Sequence, residues 1–185
     1  MNPDPHSKTP DPIQPISAEH DHDPNGAFIV CLDPQQRILS GRKTYGAKLR
    51  SLPGGGIHPN EDADMAALRE TQEETGFFLL AVNLRLIGIM SQRLPNHPTK
   101  TGLVTVFEAD VTDRTRRPTD GELVDLEWLT IWEAIGRRQE FEPPQLRVMY
   151  LAHLRRNTTG GRNFFAGHMT KPIEAVLPDG SVVTI

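Results

Sequence analysis

The chain has 185 residues and carries 20 Lys and Arg against 24 Asp and Glu, a formal net charge of −4. That length suffices for one domain with a proper core, a pI near 6.0 argues against a nucleic-acid partner, and no apolar stretch approaches the span of a membrane. Cys31 is the single cysteine, which excludes an intrachain disulfide and suits a reducing, cytoplasmic setting.

Residues 1–24, rich in Pro, His and Asp without an apolar run, read as a flexible tail and not a secretory signal. His6, His20 and His22 in it are expected to be solvated. Strands are expected over 27–32 and 36–41, joined by a turn at Asp33-Pro34, with Cys31 a buried small hydrophobe. A short strand over 49–52 leads into a glycine-rich turn, Leu52-Pro53-Gly54-Gly55-Gly56, whose backbone can approach a ligand closely. A helix follows over 61–75, with Asn60 as N-cap, Glu61 and Asp62 in the first turn and Gly76 as its stop. Strands over 84–92 and 103–111 flank a Pro-containing loop, 93–101, able to reach over a substrate. A strand over 123–129 and helices over 131–138 and 144–155 complete a domain placed at 25–155. Trp128 and Trp132 belong to its core in this reading. Residues 156–185, with Gly160-Gly161 and an apolar alternation over 175–185, form an extension without an assigned role.

The helix carries the chemistry. Positions three and four apart share one face, so Glu70, Glu73 and Glu74 fall within roughly a third of its circumference. Ala63, Ala66 and Ala67 lie on or beside that arc and leave the carboxylates unshielded, while Met65, Leu68, Thr71 and Thr75 offer a packing surface. From Glu61 to Gly76 the charge is −5, leaving +1 for the remainder, so the acidity is local. Carboxylates crowded in this way repel unless a cation neutralises them. Hard oxygen donors without His or Cys suit Mg²⁺ or Mn²⁺ better than zinc.

Taken alone, three helical glutamates read more readily as a solvated face with Arg69 paired to Glu73. The glycine turn changes that. Gly55, Glu61, Arg69, Glu70, Glu73, Glu74, Gly76 and Phe77 stand at the spacings of the signature Gly, five residues, Glu, seven residues, Arg-Glu-U-X-Glu-Glu-X-Gly-U, where U is bulky and apolar. Seven fixed positions match by chance on the order of 10⁻⁸ per window. The segment resembles the Nudix hydrolase family over 23 of 185 residues. Thr71 departs from it, standing where an aliphatic residue is usual, and should loosen packing slightly.

The resemblance implies an α/β fold, an α/β/α sandwich with a mixed sheet in one domain, and Mg²⁺-dependent hydrolysis of nucleoside diphosphates linked to another group. It makes Glu70, Glu73 and Glu74 metal ligands, with the Gly55 carbonyl region adding one. Arg69 would orient the glutamates and Glu61 support the loop-to-helix geometry. Many relatives dimerise, so a homodimer is compatible, although no self-complementary surface is legible.

Outside the signature, Arg42, Lys43, Lys48 and Arg50 crowd 41–50 without an acid, and arginine forks match phosphate oxygens. Arg42, Lys43 and Arg50 are therefore candidate substrate ligands, against a solvated strand and loop. Many relatives draw a further glutamate from a late segment, and Glu122, ahead of Asp125 and Glu127, is the candidate ligand or base. Tyr45, Phe164 and Phe165 are candidate stacking partners for a nucleobase. His58 reads as a solvent-facing spacer. Substrate identity is not legible: Pro95 falls at Gly76 plus nineteen instead of the sixteen usual in the ADP-ribose group, and no tyrosine lies between Phe77 and Met149. The competing reading is a non-catalytic nucleotide-binding or sensing module using Arg137, Arg138, Arg147, Arg155, Arg156 and Arg162 for a partner.

Overall fold

The structure, a computed structural model, describes residues 25–94, 97–113, 115, 121–158, 165–168 and 171–185, with backbone alone at 92–94, 97–101 and 168. The expected tail and its histidines, Gly160, Gly161, Arg162 and Phe164 lie outside the described residues.

Strand β1 (Gly26–Leu32) is buried along its whole length. Its alternation supplies two cores at once: Ala27, Ile29 and Cys31 enter one apolar cluster, Phe28, Val30 and Leu32 another. Side chains on a strand leave opposite faces in turn, so a strand apolar at every position must be covered on both sides. Helix α1 (Ala63–Thr75) covers the first side through Ala66 and Ala67. Helices α2 (Ile131–Gly136) and α3 (Pro143–Asn157) cover the second through Ala134, Ile135, Leu146, Val148 and Met149. Replacing Ile29 or Val30 by a smaller side chain removes packing on one face only.

The sheet runs β3 (Arg50–Ser51), β2 (Ile38–Lys43), β1, β6 (His97–Asp110), β5 (Arg85–Leu94), β8 (Phe165–His168). Strand β4 (Gly54–Gly56) pairs with β1, and β7 (Leu123–Leu129) with β2. The β1–β6 and β5–β8 pairs are parallel and the others antiparallel, so the sheet is mixed. This is the α/β/α sandwich expected from the sequence.

Four local expectations differ. The glycine segment is a strand, not a turn: lacking side chains, residues 54–56 lie flat against β1, with Gly55 opposite Ala27. Helix α1 begins at Ala63 after Asp62, whose backbone is extended, and Asn60 sits instead in a tight turn at φ +64°. Its buried face is Ala66, Ala67, Thr71, Glu74 and Thr75, whereas Met65 is exposed; the alanines let the helix approach the sheet and do not frame an open carboxylate face. Arg93 and Leu94 continue β5, and residues 97–101 belong to β6, Arg93 pairing Thr101 and Leu94 pairing His97. Backbone pairing there replaces the expected loop on either side of Pro95, which lies outside the described residues.

The C-terminal residues belong to the core. A hairpin of β9 (Glu174–Val176) and β10 (Val182–Thr184) brings Ala175 and Ile185 into the α3-side cluster. The Val176 N–H donates to the Tyr150 hydroxyl at 3.0 Å, and Arg147 Nε donates to the Ile185 carbonyl at 2.9 Å. Phe165 packs over Gly88, where a Cβ would lie 2.3 Å from its ring. Trp128 packs against Phe77 with centroids 5.9 Å apart, and Trp132 meets Tyr150 edge-on, so both tryptophans line the two cores as expected.

Candidate active site

Gly54–Gly56 and α1 face one another, and the glycines set how closely. At Gly54, with φ +143°, a Cβ would stand 2.3 Å from the Ala27 carbonyl oxygen. At Gly55 it would stand 2.6 Å from the Glu70 carboxylate. The helix can therefore lay Glu70 directly over the Gly55 backbone. Gly76 closes the helix in the left-handed conformation at φ +74°, as its position in the sequence requires.

Arg69 organises the surrounding acids. Its Nε and Nη2 donate to the two Glu61 oxygens, both at 2.9 Å. Its Nη1 donates to Glu70 at 2.8 Å and Glu73 at 3.1 Å, and Nη2 donates also to the Gly56 carbonyl at 3.0 Å. Five donors meet five acceptors, a geometry that only the planar guanidinium provides. Glu61 further accepts from the His58 N–H at 3.0 Å, which bends the chain into α1. The Arg69 fork holds the Glu61 carboxyl down to about 2, and Arg69 itself is raised. The His58 ring is exposed, as expected of a spacer.

Glu74 differs from its neighbours. It is 2% exposed, and its Oε2 accepts from the Gly54 N–H at 2.8 Å. Burial pushes its carboxyl up to about 8, against that hydrogen bond; Glu70 and Glu122 add repulsion and Lys43 opposes it. Glu70 is also raised, chiefly by burial, with Arg69 opposing. Glu73 is about half exposed.

The remaining candidates separate. Alternation along β2 puts Lys43 on the α1 side and Arg42 on the α3 side. Lys43 Nζ pairs with Glu142 at 3.1 Å and acts on Glu74. Arg50, opposite Arg42 in the ladder, is buried and paired to Glu127 at 2.8 Å. Arg42 reaches Glu140 at 3.4 Å and Asp125 at 3.6 Å. Glu127 is taken up by Arg50 and Arg137, whereas Glu122 lies within electrostatic range of both Glu70 and Glu74. The Gly54 N–H that fixes Glu74, and Glu142 that anchors Lys43, went unnoticed in the sequence. Glu142 is 99 residues from its partner, a separation at which local pattern carries no signal.

Arg137, Arg147, Arg155 and Arg156 of the C-terminal third turn to internal acceptors. Arg137 binds Glu127 and Glu140, and Arg155 and Arg156 bind the buried Glu108, Arg156 at 2.7 Å. Arg138 is exposed.

A family model described as the NUDIX domain matches residues 22–151. The chain belongs to the NUDIX family. Among curated NUDIX relatives it is 26% identical over 130 residues to an RNA pyrophosphohydrolase of Saccharophagus degradans, covering 62% of this chain and 75% of that protein. It is 44% identical over 52 residues to a Bacillus subtilis protein provisionally named an 8-oxo-dGTP diphosphatase. That match spans 28% of this chain and about a third, 34%, of the relative. Among solved structures it resembles the MutT protein of Methanosarcina mazei Go1 with a TM-score of 0.59 at 21% identity, covering 73% of this chain and 95% of that one, a likeness of fold.

Proposed function

We propose that this NUDIX protein hydrolyses a phosphoanhydride in a nucleoside diphosphate linked to a further group, of nucleoside triphosphate, nucleotide-sugar or ADP-ribose type. The observation that carries this reading is the setting of Glu70 and Glu74 against a glycine strand, with Glu61, Glu70 and Glu73 held by a guanidinium whose donors are all engaged. The names of the curated relatives, a diphosphatase and a pyrophosphohydrolase, support the reaction class.

Glu74 tests whether the residues suit a divalent cation. A carboxyl this buried, beside Glu70 and Glu122, is costly to ionise alone, and a hard cation offsets that cost. Among the described residues no three His, Cys, Asp or Glu side chains stand close enough for a preformed centre; Arg69 draws Glu70 and Glu73 to itself. The donor set is nonetheless oxygen throughout, and it fits Mg²⁺ or Mn²⁺. Glu70, Glu73, Glu74 and the Gly55 carbonyl would hold the ion. When bound, it supplies charge neutralisation for the diphosphate and a lowered pKa for water.

The chain's own residues do the rest. Arg69 and Glu61 fix the Glu70 and Glu73 rotamers, and the Gly54 N–H fixes Glu74. Glu122 or one of the helix glutamates accepts the proton of the attacking water at a carboxylate oxygen. Lys43 faces the diphosphate from β2. Positioning and charge stabilisation supply most of the rate. Incubation of the purified protein with Mg²⁺ and a panel of nucleotide diphosphates, with products separated by chromatography, tests the reading. Absence of turnover on every member refutes it.

A further inference from the structure

The hairpin joining β2 to β3 carries Tyr45, whose side chain is 51% exposed. Single exposed aromatics are ordinary on protein surfaces, but this one is held in place. Lys43 Nζ stands 5.5 Å from the ring centroid and is itself fixed by Glu142 at 3.1 and 3.3 Å. The Lys48 N–H donates to the Tyr45 carbonyl at 3.2 Å, and the Lys43 N–H donates to the Leu49 carbonyl at 3.0 Å. Thr44 ties the hairpin to the opposite segment, its N–H and hydroxyl donating to the Glu122 carbonyl at 3.0 and 3.3 Å.

These ties hold the ring against Lys43, which acts on Glu74 and lies one residue along the chain from the Thr44–Glu122 link. The Tyr45 hydroxyl is raised first by burial and then by the charges of Glu74, Glu122 and Glu142, with Lys43 opposing. A half-exposed ring on a braced turn, within electrostatic range of Glu74 and Glu122, has what stacking requires. One region of the ring is occupied by a cation, about half of the residue is open to solvent, and little entropy is left to lose on binding.

Resting on the hydrolytic reading above, we propose that Tyr45 is the stacking platform for the substrate's nucleobase, and that Lys43 beside it meets the adjoining phosphate. Stacking is tolerant of base identity, because every base has a π-face. The platform therefore selects nucleosides over base-free diphosphates without choosing among bases.

Calorimetric titration of wild type, Tyr45→Ala, Tyr45→Phe and Lys43→Ala with α,β-methylene ADP and with base-free methylenediphosphonate tests this. Tyr45→Ala is expected to weaken the nucleotide analogue about tenfold, within the range of base–aromatic stacking, and to leave methylenediphosphonate within about twofold. Tyr45→Phe keeps the ring and restores wild-type affinity. Lys43→Ala weakens both ligands. The KM of any nucleotide that is turned over should rise in parallel in Tyr45→Ala, with kcat little changed. Unchanged nucleotide affinity in Tyr45→Ala, or an equal loss for the base-free ligand, overturns the platform. Wild type that binds the analogue through Tyr45 but hydrolyses no nucleotide overturns the hydrolytic reading alone. Failure to bind and failure to hydrolyse overturn both.

Discussion

Alanine placed in turn at Gly54, Gly55 and Gly56 should give three different outcomes from three adjacent glycines. At Gly54 the added Cβ meets the Ala27 carbonyl oxygen at 2.3 Å and the Phe28 Cα at 2.7 Å, both backbone atoms of the central strand, and φ of +143° is strained for any L side chain. Strain of about 1–3 kcal/mol and an overpacking cost of about 1–3 kcal/mol together approach the whole stability of a marginal domain. At Gly55 the obstacle is the flexible end of Glu70, 2.6 Å away, so the chain folds and Glu70 is displaced. Misplacement of a site group by about 1 Å costs on the order of 100-fold in rate. At Gly56 no heavy atom lies within 4 Å of the added Cβ, and stability should stay within about 0.5 kcal/mol. Urea unfolding followed by tryptophan fluorescence, paired with a hydrolysis assay, reads all three. A Gly54→Ala protein as stable as wild type, or a Gly56→Ala protein as damaged as Gly54→Ala, would refute the packing argument.

Glu74→Gln should lose at least about 100-fold in kcat, roughly 2.7 kcal/mol of transition-state stabilisation; near-normal turnover of the folded variant at saturating Mg²⁺ removes Glu74 from the ligand set. Thr71 is fully buried and its hydroxyl has no partner among the described residues, so Thr71→Val should stabilise by about 1 kcal/mol, and a lowered melting temperature would contradict this. Guanidinium partners hold Glu61 and Glu140 down to about 2, Arg69 for the first and Arg137 for the second, against 4.5 for a free glutamate. A depressed acid contributes fully above its unfolded value and loses that contribution as pH falls through its folded one. Stability from these pairs should hold above pH 4.5 and decline toward pH 2, and Glu61→Gln should flatten part of that slope in urea midpoints measured against pH.

The α/β/α layering was expected only from the resemblance of the signature segment to a known family, and the all-apolar β1 is the physical reason it holds; the helix stop was legible because Gly76 follows the last polar turn. The glycine segment was misread because its ladder partner, β1, lies some thirty residues upstream and sets its conformation from outside. The prolines near 93–101 suggested a loop because they were read as breakers, whereas Arg93 with Thr101 and Leu94 with His97 pair locally as the arms of a hairpin. Periodicity grouped the glutamates correctly on one face but could not say which was buried. That depends on where the sheet lies, and the sheet buries Glu74 while leaving Glu73 half exposed. The basic cluster at 42–50 divided because alternation sends neighbours to opposite faces, and acids from remote segments then claimed Arg42 and Arg50.

Because Ala175 and Ile185 join the cluster that α2 and α3 pack against the sheet, that layer is complete only once residue 185 has left the ribosome. The glycine strand and carboxylate helix emerge much earlier and wait with one face of their shared sheet uncovered. Synthesis therefore passes through an interval in which half of the structure exists and the other half is greasy and open. Chains cut short before β9 would keep α2 and α3 over that face and lack only the last pieces of its cover, Ala175 and Ile185.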